Sequence, residues 1–362
     1  MVYQWIDLHA HFTPPMTPEQ SDARWLAMQQ ADWIGPKPAD WSLESALGTM
    51  DRVGIAMQML SNIPKTLPAL RASNDYGASI VAMHPSRFGL LVALPTDNPE
   101  AALAEIRRGY DELNADGFAV TFCYNGVYVS DPRLEPVWAE LNRREAVVFG
   151  HPDAYAAGTF GRPSPLLDVA FETTRTVVDM LYAGIFRRFP AVRLVLAHCG
   201  AALPALSGRL ILLGTQPWIP NPNGITQDEM RQHLRALFLD TAMTGSAHTL
   251  APALAMTTCD HIVYGSDCGV PCTVEETMRA NIEAILGFAG LAPEQIEQIG
   301  HNALRLFPGA AERLRRATHP VGDIDRALPY GRAATPGHFS VDGGVPSCPG
   351  ASSTFPSVFR PE

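Results

Sequence analysis

Near its start the chain reads Ile6-Asp7-Leu8-His9-Ala10-His11. In an extended strand, residues two apart project to the same side, so His9 and His11 can reach one ion from one strand end. Neutral imidazole is the protein ligand that zinc and similar divalent ions meet most often. Three more polar residues share this context: His151 follows Val147-Val148-Phe149-Gly150, His198 follows Leu194-Val195-Leu196-Ala197, and Asp267 follows Ile262-Val263-Tyr264-Gly265-Ser266. One histidine at the end of an apolar run is ordinarily a hydrogen-bonded structural residue. Histidines and an aspartate repeated in that position at four separate runs imply a metal site, able to anchor a carboxylate or activate water.

Such residues converge only if the strands that carry them share one rim. Short apolar, β-rich runs alternate with longer helical patterns, and the expected strands are Val2–Leu8, Ala56–Ser61, Phe88–Ala93, Phe118–Phe122, Ala146–Phe149, Arg193–Ala197, Leu237–Asp240 and Ile262–Gly265. Segments such as Leu134–Arg144 and Pro165–Phe189 read as helices between them. Near-continuous apolar strands separated by helices imply a buried parallel sheet. Eight such units predict an α/β fold of the (β/α)8 TIM-barrel type, with an open doubly wound sheet as the rival. No Gly-x-Gly-x-x-Gly or Walker-type loop follows a strand, which counts against nucleotide-binding folds. On a barrel, catalytic groups sit where strands end, which is where these residues fall.

Two stretches break the rhythm of the expected barrel over residues 1–318. Residues 13–45 carry Pro14, Pro15, Pro18, Pro36 and Pro38 with Trp25, Trp33 and Trp41. They follow the first strand on the active-site face, so they form either a lid or a surface insert packed by its own aromatics. Residues 319–362 are rich in Pro, Gly and Ser and show no usable period, the pattern of an irregular tail.

The formal charge is −10 without any basic run, so nucleic acid is not expected as a partner. No basic start with an apolar core marks a signal peptide, and no apolar run is long enough to span a membrane. The six cysteines, Cys123, Cys199, Cys259, Cys268, Cys272 and Cys348, form no CxxC pair and read as reduced thiols of a cytoplasmic protein. Cys268 reads as a small packed residue, with a soft ligand or reactive thiol as the alternative. Of the remaining histidines, His248 alone is kept as a reserve candidate for substrate contact.

Taken together, His9-Ala10-His11, Gly150-His151-Pro152, Ala197-His198-Cys199-Gly200 and Gly265-Ser266-Asp267 resemble the signatures of the amidohydrolase superfamily. The similarity is greatest to the branch holding aminocarboxymuconate-semialdehyde decarboxylase and the salicylate-type decarboxylases. Met50-Asp51-Arg52-Val53-Gly54-Ile55, Phe171-Glu172-Thr173-Thr174-Arg175, Phe189-Pro190-Ala191-Val192-Arg193 and Leu203-Pro204 with Gly208-Arg209 add to it. The resemblance implies that His9, His11, His151 and Asp267 ligate one divalent ion, zinc first and manganese second. His198 would stand beside them as an acid–base or polarising group. Arg209 matches an arginine that reaches the substrate carboxylate of a neighbouring subunit, which implies a homodimer or higher homo-oligomer. Glu172 and Arg175 would form either a structural pair behind the site or part of it. The chain departs from the pattern at Cys199, where the family often has glycine, and after Asp267, where an aromatic-Pro pair is usual and Cys268-Gly269 stands instead.

The leading reading is a metal-dependent non-oxidative decarboxylase of a small aromatic or unsaturated carboxylic acid. In it, the ion binds the carboxylate with an ortho hydroxyl, and His198 or Asp267 returns a proton to the vacated carbon. The alternative is a hydrolase of a lactone, amide or related bond, with water activated by the ion, Asp267 as base and His198 at the oxyanion. Hydration of an unsaturated acid and a non-catalytic barrel are the remaining readings, and metal content separates the last from the rest.

Overall fold

The computed structural model describes residues 4–242 and 246–318. Eight strands form one sheet in sequential order: β1 (Trp5–His11), β2 (Ile55–Ser61), β3 (Phe88–Ala93), β4 (Gly117–Thr121), β5 (Val147–His151), β6 (Arg193–Leu196), β7 (Phe238–Asp240) and β8 (Ile262–Val263). Every neighbouring pair is parallel. The sheet closes on itself, because Tyr264 O accepts from Leu8 N at 2.9 Å, His9 O from Asp267 N at 2.9 Å, and Cys268 O from His11 N at 2.7 Å. This is a (β/α)8 barrel, with helices covering the outside.

Two apolar layers explain why the strands are hydrophobic on both faces. One cluster takes alternate residues, such as Ile6 and Leu8, Met57 and Met59, and Val147 and Phe149, and includes Leu306 and Phe307 of the last helices. The other takes the residues between, such as Leu90, Val92, Val148 and Leu196, and packs them against the helical layer. Strands buried on both sides lose the polar–apolar alternation of a half-exposed sheet and appear as continuous runs.

The first and last strands differ from their sequence expectations. β1 is described from Trp5, the expected start at Val2 lying outside the described residues, and it runs past Leu8 to His11, because its pairing with β2 extends to His11 opposite Ser61. The metal-type histidines therefore lie within the strand, not after it. β8 ends at Val263 instead of Gly265, since the chain there leaves β7 to make the irregular closing bonds to β1, with Asp267 in the left-handed region at φ 59°. The helix expected over Pro165–Phe189 is divided into Asp168–Tyr182 and Ile185–Arg188 by Gly184, whose φ of +73° ends the first turn sequence. A two-residue antiparallel ribbon, Cys123–Tyr124 with Val127–Tyr128, follows β4.

Within residues 13–45 the helix Pro18–Gln30 is opened by a capping box in which Thr17 and Gln20 satisfy each other's backbone N–H. None of its residues is buried. The helix leading into β2 starts at Leu43, with Ser42 as its N-cap. The stretch expected as a tail, 319–362, lies outside the described residues.

Candidate metal centre

The ends of β1, β5 and β6, with the turn after β8, bring His9, His11, His151, His198 and Asp267 together. His9, His151, His198 and Asp267 each offer one ligand atom within 4.8 Å of the others. His11 joins them, its Nε2 lying 2.9 Å from His9 Nε2 and 3.2 Å from Asp267 Oδ1. His9, His151 and Asp267 are buried, while His11 and His198 are half-buried.

The ring orientations follow from what holds each Nδ1. His9 Nδ1 lies 2.7 Å from Asp240 Oδ2, His151 Nδ1 donates to Pro152 O at 2.7 Å, and His11 Nδ1 faces Ser61 Oγ at 3.4 Å. All three rings therefore turn Nε2 inward. Beneath them, Phe149 packs edge-on against His9 with ring centroids 4.8 Å apart. Across the cluster, His198 Nε2 stands 3.5 Å from Asp267 Oδ2.

Local backbone geometry aims the two remaining groups. His198 and Cys199 adopt φ of 56° and 57°, and Asp267 φ of 59°. Each left-handed residue with a Cβ costs about 1 kcal/mol, a strain that surrounding structure must hold. Cys199 occupies the position where glycine would carry that conformation freely. Gly269, at φ +92°, lies so close to β1 that a Cβ there would come within 2.1 Å of His11 O.

The electrostatics suit a cation. Burial alone would lower His9, yet the charges of Asp267 and Asp240 outweigh it and hold the ring up at about 10. Burial pushes His151 well below its ordinary value, helped by the neighbouring imidazoles, and lowers His11 as well. Asp267 is held well below the usual carboxylate range because the surrounding histidines outweigh its burial. Neutral His11 and His151 and an ionised Asp267 are the protonation states a metal requires, while His9, held protonated by its two carboxylates, gives up its Nε2 proton when an ion binds. His151 Nε2, His198 Nδ1 and Asp267 Oδ1 are buried with no hydrogen-bond partner among the described residues. Buried polar atoms are rarely left so, and His151 Nε2, turned into the cluster, fits a divalent cation.

The pattern of the amidohydrolase family matches residues 6–309. The chain belongs to the amidohydrolase family. Among similar family members, 6-methylsalicylic acid decarboxylase of Aspergillus aculeatus is 31% identical over 86% of this chain and 97% of its own length. Decarboxylase macB of Penicillium terrestre is 30% identical over 84% and 94% respectively. A solved dihydroxybenzoic acid decarboxylase from Polaromonas, holding manganese and the inhibitor 2-nitroresorcinol, superimposes with a TM-score of 0.68 at 22% identity, over 86% of this chain and 99% of its own.

Other residues singled out from the sequence lie apart from the cluster. Arg209 is exposed on the helix Leu203–Leu213 and makes no ion pair among the described residues. Glu172 and Arg175 do not pair: Glu172 accepts from Asp153 N at 3.1 Å, and Arg175 lies over the Phe171 ring. His248 is exposed on the helix Ala247–Met256. Burial pushes the Cys268 thiol up to about 12, the behaviour of a packed residue.

Two groups went unnoticed in the sequence. Asp240 ends β7 and supports His9, and its signal was the one used for the others, a polar residue closing the apolar strand Phe238-Leu239-Asp240. Asp7 is fully buried and burial raises it to about 6, although it accepts from Ser266, Gln58 and His9 N. The insert adds a third element, because Trp33 packs on Tyr155 after β5 at 5.3 Å and Arg24 donates to the Tyr155 hydroxyl at 3.3 Å.

Proposed function

We propose that this protein removes carbon dioxide, without oxidation, from a small aromatic acid carrying an ortho hydroxyl, using one divalent ion. The enzyme is a carboxy-lyase of the amidohydrolase superfamily. The observation that carries the site is the set of three inward Nε2 atoms beside Asp267 Oδ1, which lies 3.1 Å from His9 Nε2 and 3.2 Å from His11 Nε2. His9, His11, His151 and Asp267 would hold the ion. Three imidazoles and a carboxylate suit zinc, with manganese as the second choice. When bound, the ion supplies a fixed positive charge for the carboxylate and hydroxyl of the substrate.

The chain's own groups supply the rest. The reaction returns one proton to the ring carbon as the carbon–carboxylate bond breaks and its electron pair stays with the ring. Asp267 has one oxygen toward the imidazoles of His9 and His11 and the other toward His198 Nε2. The Asp267–His198 pair is therefore the place where a transferable proton is held, at Oδ2 or Nε2. Phe149 floors the cluster, and Tyr155, braced by Arg24 and Trp33, extends an aromatic wall from the insert. That bracing supports reading residues 13–45 as a lid rather than as a surface insert packed by its own aromatics.

Arg209 would complete the substrate's surroundings from a second copy of the chain. Its planar guanidinium suits two carboxylate oxygens. This role makes the working enzyme at least a homodimer. Free thiols at the described cysteines accord with a cytoplasmic setting, and no helix among the described residues is long and apolar enough to cross a membrane.

The test is product analysis of metal-replete protein with a panel of ortho-hydroxybenzoates in heavy water. Carbon dioxide with deuterium at the vacated carbon is the expected result. Folded, metal-loaded protein that releases none from any acid would overturn the reading and direct the search to lactones and amides.

A further inference from the structure

Asp240 touches two arms of the centre at once. Its Oδ2 lies 2.7 Å from His9 Nδ1, and its Oδ1 accepts from Cys199 N at 3.2 Å and from Ala242 N at 3.0 Å. The side chain is fully buried, and β7 contributes no ligand of its own. Cys199 is the second of the consecutive left-handed residues that turn His198 toward Asp267. Neither residue is glycine, so the strain of that turn is held by its surroundings, among them the bond from Cys199 N to Asp240 Oδ1.

We propose that Asp240 is a positioning residue that sets His9 and His198 together, one through its ring and the other through its backbone. Oδ2 fixes the proton of His9 on Nδ1 and leaves the Nε2 lone pair for the ion, the usual duty of a carboxylate behind a metal-bound histidine. Oδ1 pins the turn that carries His198. A single carboxylate thereby links ion binding to the placement of the group beside the ion. The inference rests on His9 being a metal ligand.

Two substitutions separate the arms. In Asp240→Asn the amide oxygen can still accept from Cys199 N and Ala242 N, while the amide nitrogen presents a donor to His9 Nδ1 and drives the ring to the other tautomer. Asp240→Ala removes both supports. Zinc affinity, measured by competition with a chromophoric chelator, is expected to fall about 10- to 100-fold in Asp240→Asn. At saturating zinc, Asp240→Ala is expected to lose more kcat than Asp240→Asn, because only the alanine variant releases the His198 turn. On the unaltered, zinc-loaded protein, 15N-histidine NMR is expected to show His9 protonated at Nδ1, and this measurement decides the matter even where a variant does not fold.

A His9 protonated at Nε2, or an Asp240→Asn protein that binds zinc as tightly as the parent, overturns this inference alone. A parent that takes up no divalent ion overturns the functional reading and this inference with it.

Discussion

Asp7 and Ser266 meet across the seam where the barrel closes: Ser266 Oγ donates to Asp7 Oδ2 at 2.6 Å and Ser266 N to Oδ1 at 2.9 Å. The residue after Ser266 is Asp267, and the residue two beyond Asp7 is His9. The contact that shuts the sheet is therefore adjacent to the contact that assembles the centre, and closure of the fold and formation of the site are one event.

Removing a ligand tests the centre most directly. His151→Ala deletes the ring whose Nε2 has no hydrogen-bond partner among the described residues. It is expected to leave the fold intact, empty the protein of metal by elemental analysis, and lower kcat/KM about 1,000-fold, the equivalent of the several kcal/mol an ion contributes. Full metal content in this variant would remove His151 from the ligand set.

Arg209→Ala is expected to raise KM about 10-fold while metal content stays at the parent's level, since a charge-assisted bond is worth about 1.5–3 kcal/mol. Steady-state kinetics unchanged from the parent would end the clamp role, and with it the argument for a shared site.

Gly269→Ala places a methyl against His11 O in a left-handed backbone. The cost is expected to reach at least about 2 kcal/mol in urea unfolding, with weaker metal binding because His11 must move. A variant as stable as the parent would show that the turn after Asp267 yields easily.

Acid stability has a source far from the centre. Glu105 is fully buried and accepts from Arg71, Arg108 and Asn74, and Asn74 in turn holds the end of β3 through Ala93. Burial would raise its carboxyl, but the bonds from Arg108 and Asn74 outweigh burial and hold it below the ordinary value. A lowered folded value means that the stabilisation is complete above the unfolded carboxyl's pKa, about 4.3, and is lost as pH falls through the folded one. Glu105→Gln is expected to cost about 2 kcal/mol at pH 7, and the gap from the parent should narrow below pH 4. A gap independent of pH would assign the loss to packing.

Trp33→Ala removes the aromatic contact that seats the insert on Tyr155. Faster proteolysis within residues 13–45 and a raised KM are expected, with the circular dichroism of the barrel unchanged. Parent-like cleavage and KM would make the insert a passive surface element.

The sequence disclosed the barrel because buried strands announce themselves: Phe88–Ala93 is apolar throughout and appears where expected. The helix Pro18–Gln30 did not show, since with no buried face it has no apolar period. His9, His11, His151, His198 and Asp267 were legible as polar ends of apolar runs, a purely local signal. Asp240 carried the same local signal and went unread, whereas Asp7 showed nothing of its role, because its partner Ser266 is distant in the chain and adjacent only after folding. The resemblance implied a Glu172–Arg175 pair as one alternative, but one helix turn is equally compatible with the side chains parting, Glu172 toward Asp153 and Arg175 over Phe171.

The seam between Asp7 and Ser266 joins residues 259 positions apart. During synthesis, His9 and His11 leave the ribosome long before Asp267 and wait for the strands between them. The early histidine pair can meet any soft ion in the cell while alone, with none of the later groups present to enforce selectivity. Loading with the correct metal thus waits for Asp267, long after the histidine pair has been made.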